Sequence, residues 1–129
     1  MACRNFVNVE LKPTNDNVKL LRLILSFASD CLDFDLDEID ELKVAITEII
    51  NYLKPYLTSD APFKFNFYLE DNILRTEIIA PICSGSFRMD ECSPMFIVAR
   101  SLLDELVFDE EEDGVFLVRM VKQKRSNDD

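Results

Sequence analysis

The chain has 129 residues, 48% of them hydrophobic, a formal net charge of −11 and no histidine. That length and composition fit one domain with a real core, and no run reaches the roughly 18 apolar residues of a membrane-spanning helix. The charge disfavours contact with nucleic-acid phosphates. The missing histidine removes the usual general base, a Ser-His-Asp triad and most transition-metal sites.

Residues Met1–Leu11 lack the basic-then-apolar pattern of a secretory signal, so the expectation is a cytoplasmic protein with no membrane contact. Within that segment Phe6–Leu11 places Val7, Val9 and Leu11 on one face, the alternation of a strand. Pro13 and the polar run Thr14–Asn17 form a turn and offer a helix cap. Val18, Leu21, Ile24, Leu25, Ala28 and Leu32 then recur at helical spacing, which predicts a helix over 15–31.

Asp35 followed by Glu38 resembles a capping box. It opens a second helix, predicted over 36–55, with Ile39, Leu42, Ile46, Ile49 and Leu53 as its apolar stripe and Pro55 near its end. The acidic stretch Asp33–Glu41 suits a helix start, where the macrodipole favours negative charge. It is also a candidate contact region for a basic partner.

Phe63–Leu69 alternates with an aromatic face, and Ile73–Ala80 follows the tight turn Asp71-Asn72 as its hairpin partner. Pro81–Ser93 is irregular and polar. A third helix is predicted over 94–105, and a last hairpin pairs Leu106–Phe108 with Val115–Val121 around the acidic turn Asp109–Gly114. The tail from Lys122 to Asp129 is expected to fray.

The order β-α-α-β-β-α-β-β predicts a single α+β domain over 1–129. It is a two-layer sandwich, one mixed sheet of four or five strands covered on one face by helices. Of the four cysteines, Cys3 and Cys31 are expected to bury as small apolar residues. Cys83 and Cys92 flank one loop and are expected as free thiols. No CxxC pair suggests zinc.

This order resembles the anti-sigma factor serine kinases of bacterial sporulation and stress response, members of the Bergerat (GHKL, histidine-kinase-like) ATPase superfamily. So do two local strings. They are Glu41-Leu42-Lys43-Val44-Ala45-Ile46-Thr47-Glu48 and Met95-Phe96-Ile97-Val98 running on through Leu103-Asp104-Glu105-Leu106-Val107. The resemblance spans roughly Val7 to Val121. It implies a sigma factor or a STAS-type antagonist protein as partner, and a homodimer.

It also implies where a nucleotide would be handled, and there the residues depart from the pattern. Glu48 falls on the family's general base. The family's Mg²⁺-coordinating Asn comes four residues later, where this chain has Tyr52. Asn51 is three residues on, about 100° away around an ideal helix, and is either a shifted metal ligand or an ordinary polar residue. The family's adenine-binding Asp and two spaced glycines correspond to Ala80, Ile82 and Ser84. A lost hydrogen bond to a charged group costs roughly 1.5–3 kcal/mol, a large part of the roughly 8 kcal/mol of micromolar binding.

The phosphate-contacting end of the family's lid corresponds to Ser93-Pro94-Met95-Phe96. There Ser93 reads as an N-cap, Pro94 removes a donor, and Phe96 fills the space a second glycine leaves open. The only two glycines, Gly85 and Gly114, stand in neither motif.

The expectation is therefore a degenerate relative of that family that works by protein binding, with no ATP or Mg²⁺ as cofactor. The acidic residues Asp109, Glu110, Glu111, Glu112 and Asp113 form a candidate partner-binding turn or a solvated loop. Two other readings are an active ATP-dependent serine kinase, with Glu48 as base and Asn51 on Mg²⁺, and a non-catalytic dimerisation or scaffold module.

Overall fold

The computed structural model describes residues 4–58, 61–82, 90–110 and 114–125. They form strand β1 (Arg4–Leu11), helices α1 (Asn15–Cys31) and α2 (Leu36–Leu53), strands β2 (Phe63–Glu70) and β3 (Ile73–Pro81), helix α3 (Pro94–Ser101), and strands β4 (Glu105–Glu110) and β5 (Val115–Gln123). A short 3-10 turn, Lys54–Tyr56, follows α2 at Pro55.

Both long helices start where the sequence offers caps. The Asn17 amide donates to the Thr14 hydroxyl at 3.2 Å. Asp35 and Glu38 form the full reciprocal capping box, each side chain accepting from the other's backbone amide at 2.8 Å. Such a box satisfies two helix-end donors that would otherwise be orphaned.

The five strands form one sheet in the order β1-β2-β3-β5-β4. Every adjacent pair is antiparallel, which corrects the expected mixed sheet. The reason lies in the connections. Two helices, not one, join β1 to β2, so the chain returns antiparallel. The single-helix connection through α3 does leave β3 and β4 running the same way, but β5 inserts between them.

Alternation along the strands separates two faces. Phe63, Phe65, Phe67 and Leu69 of β2, Leu74, Ile78 and Ala80 of β3, and Phe116, Val118 and Met120 of β5 are buried. They pack with Leu21, Leu25 and Ala28 of α1 and Leu42, Ile46, Ile49 and Ile50 of α2 in one hydrophobic core. The opposite sheet face carries the intermediate and exposed residues.

Several local expectations change. α3 ends at Ser101, four residues early, because β4 begins at Glu105, paired with Val121. Asp109 and Glu110 belong to β4, opposite Leu117 and Phe116, and not to the turn. Cys31 is exposed, not buried, at the last residue of α1. Cys92 is a free, exposed thiol, while Cys3 and Cys83 lie outside the described residues.

The chain beyond Val121 is held rather than frayed up to Arg125. Lys122 is buried, and its Nζ donates to Glu41 Oε1 at 2.8 Å and to the Leu102 carbonyl at 2.7 Å. Arg125 adds a second cation to Glu41. Its amide donates to Glu38 Oε2 at 2.6 Å. Glu38 is thus buried with both carboxylate oxygens bonded, as a buried charge requires.

Candidate functional site

The residues that the family resemblance singles out converge where the C-terminal half of α2, the end of β3, the start of α3 and the β4–β5 hairpin meet. Glu48 is half-buried on α2. Three residues on, Asn51 is exposed, and one further step turns Tyr52 inward, where it is buried. The 100° step of a regular helix separates the two, and α2 runs unbroken through them.

Tyr52 takes part in the joint between α2 and α3. Its hydroxyl oxygen accepts the Asp90 amide at 2.6 Å. Burial pushes its pKa above the ordinary tyrosine value, the carboxylate charge of Asp90 adding to this and the Asp90 amide bond opposing it. Its ring meets Phe108 edge-on, centroids 6.2 Å apart. Phe108 stacks on Phe96 at 5.0 Å and leans on Phe116 at 5.5 Å. Four rings from α2, α3, β4 and β5 therefore join in one group. Such contacts contribute roughly 0.5–1.5 kcal/mol per pair beyond area burial.

Ala80 borders this group. It is fully buried on β3 and stands directly opposite Phe116 on β5. Beyond it, Ile82 is buried too. It is clamped on both sides, bridging to Leu57 and donating its amide to the Gly114 carbonyl at 2.7 Å.

Gly114 has φ +74°, and a Cβ there would come within 3.0 Å of the Ile82 carbonyl oxygen. The glycine thus serves a close approach of protein backbone to protein backbone. At the head of α3, Ser93 occupies the N-cap position without a side-chain capping bond. Pro94 opens the helix, Met95 is half-buried and Phe96 is buried. Ser84, Gly85, Glu111, Glu112 and Asp113 lie outside the described residues.

The structure thus brings Tyr52, Ala80, Phe96 and Ile82 together with two rings, Phe108 and Phe116, that sequence reasoning treated only as strand residues. Their signal was present but short: three aromatics of the sheet and α3 fall at core-facing positions of separate elements. The larger hollows lie elsewhere. One of about 290 Å³ is lined by Lys12, Thr14, Lys54 and Thr58. Another of about 380 Å³ lies on the open sheet face between Arg75, Glu105 and Arg119. Among the described residues there is no His/Cys/Asp/Glu cluster able to hold a metal ion, and no helix is long and apolar enough to cross a membrane.

Among solved structures, the fold is similar to the RsbU and RsbW domains of Rv1364c from Mycobacterium tuberculosis. The TM-score is 0.71 with 15% sequence identity, over 96% of this chain. The chain spans 32% of the length of that protein. No protein-family model and no curated protein matches it.

Proposed function

We propose that this chain is an anti-sigma-factor-like regulator of the Bergerat type that acts by protein binding, as a cytoplasmic homodimer, with a nucleotide site that no longer holds ATP and Mg²⁺. Its partner in this reading is a sigma factor or a STAS-type antagonist. The observation that carries the loss of nucleotide is the ring group of Tyr52, Phe96, Phe108 and Phe116 beside Ala80. Rings occupy the space next to the position where the family keeps its adenine-binding carboxylate. Tyr52 takes the place of the metal-coordinating Asn.

The regulatory role is supported by the likeness of fold to a structure that contains an RsbW domain. It is also supported by the strong negative charge, −11, which steers a basic protein surface toward the chain. Exposed acidic residues supply that field at the start of α2, Asp33, Asp35, Asp37 and Asp40, and at Asp109 and Glu110 on β4.

Calorimetry with Mg-ATP tests the nucleotide half, with no binding expected tighter than roughly 100 μM, about 5.5 kcal/mol on the affinity scale. A nucleotide present at 100 times its Kd would stabilise the fold by about 2.7 kcal/mol, so a clear thermal shift, with phosphate transfer to a partner serine, would establish the active kinase in its place. Co-purification from the native cell tests the partner half. Recovery of neither a sigma factor nor a STAS-type protein would leave the scaffold reading.

A further inference from the structure

The homodimer of the reading above leaves its interface unassigned. We infer that two copies join through the β1 edge of the sheet and the adjoining face of α1, making one continuous sheet across a two-fold axis.

Three observations meet on this flank. First, β1 is an edge strand, paired only with β2. An edge strand presents a row of backbone donors and acceptors, and proteins usually guard such edges with charge. The other edge, β4, is guarded by Glu105, Asp109 and Glu110, all exposed. In β1 no charged residue stands between Arg4 and Glu10. The register irregularity of β1 lies between Asn5 and Val7, which leaves Val7–Leu11 regular.

Second, α1 exposes an apolar stripe at helical spacing. Leu20, Leu23 and Phe27 are 44%, 67% and 62% exposed. Their side of the helix faces the β1 edge, because the Phe27 ring meets Phe6 of β1, with centroids 5.6 Å apart. The opposite side of α1, with Leu21 and Leu25, is the one in the core.

Third, the charge selects the occupant. Residues 4–31 carry Arg4, Lys12, Lys19 and Arg22 against Glu10, Asp16 and Asp30, a net charge of +1 in a chain of −11. Two copies repel each other through any other part of this acidic surface. They meet at least electrostatic cost on this segment.

The symmetry also closes. An edge strand paired antiparallel with its own copy is an isologous contact, the same patch on both subunits. It sets the two α1 helices, which cover the same sheet face, side by side. Their stripes can then pack at the usual interaxial distance of about 8–10 Å. Edge pairing alone gives hydrogen bonds in place of those with water. The stripe adds the buried apolar surface that holds the contact.

Sedimentation velocity over a micromolar dilution series tests the assignment. Wild-type protein is expected at twice the 14.9 kDa of one chain. Leu23→Asp and Phe27→Asp change exposed side chains, so the fold survives, as circular dichroism checks. Each is expected to weaken the dimer by more than about tenfold, the scale on which a central interface residue acts. Asn8→Lys, which adds charge to the edge, is expected to weaken it as well. Leu36→Asp, at an exposed leucine on α2 (78%), is the control and is expected to leave the dimer intact.

A wild-type monomer overturns both this inference and the homodimer reading. A dimer untouched by Leu23→Asp and Phe27→Asp, or weakened equally by Leu36→Asp, overturns the interface alone.

Discussion

Phe116 on β5 stands directly across the antiparallel ladder from Ala80 on β3, and both side chains are buried on the helix-covered face. This pairing makes the absence of a carboxylate at residue 80 a matter of packing as well as of chemistry. Ala80→Asp would place a charge against the Phe116 ring with no partner positioned for it. An unpaired buried carboxylate is among the costliest single changes. The expected outcome in urea unfolding is a loss of about 3 kcal/mol or more, with no gain of Mg-ATP affinity by calorimetry. A variant that stays stable and binds nucleotide would show that the rings yield to a ligand.

The ring group should behave as core. Phe116 is 5% exposed and touches Phe108. Phe116→Ala is expected to lower unfolding free energy by about 3–5 kcal/mol, the usual range for a buried Phe. A loss below about 1 kcal/mol would place Phe116 at a loosely filled site instead.

Gly114 carries a backbone requirement. Its φ of +74° and the 3.0 Å approach to the Ile82 carbonyl oxygen both resist a side chain. Gly114→Ala should cost about 1–2 kcal/mol for the left-handed conformation alone. It should also loosen the bond from the Ile82 amide to the Gly114 carbonyl. Faster hydrogen exchange at the Ile82 amide is the expected local sign.

Glu48 is half-buried on α2, and in the proposed reading it has no metal or nucleotide to activate. Glu48→Gln is expected to leave stability and partner binding within about 1 kcal/mol of wild type. Thermal unfolding and a pull-down measure the two. Abolition of phosphate transfer to a partner serine would instead identify Glu48 as the base of an active kinase.

Glu41 gives the fold a pH dependence whose sign follows from its partners. Burial raises its pKa. The hydrogen bonds and positive charges of Lys122 and Arg125 outweigh that and hold it below the ordinary value of 4.5. A carboxyl depressed in the folded state contributes stability that is fully present above its unfolded pKa. That contribution is lost as pH falls through the folded value. Glu41→Gln should therefore lower stability near neutral pH and flatten the acid limb of the stability curve. An unchanged acid limb would mean that other carboxylates govern acid unfolding.

Most of the architecture was legible in the sequence, because period and capping are local. The 3.6-residue recurrence of Leu21, Leu25 and Ala28, the Asp35–Glu38 box and the alternation of Phe63, Phe65 and Phe67 each lie within one element. They are decided by sterics and burial over a few residues. The position of Tyr52 beside Asn51 was likewise a matter of helix geometry.

What only the tertiary structure decided involves residues far apart in the chain. The insertion of β5 between β3 and β4 made every strand pair antiparallel. The meeting of Tyr52, Phe96, Phe108 and Phe116 depends on four elements arriving at one place. Lys122 reached Glu41 across 81 residues and turned an expected loose tail into a strand end tied to α2. The apolar stripe of α1 gained its setting only when Phe6 and Phe27 showed which edge it borders. Loop closure and strand order set such contacts, and no local pattern encodes them.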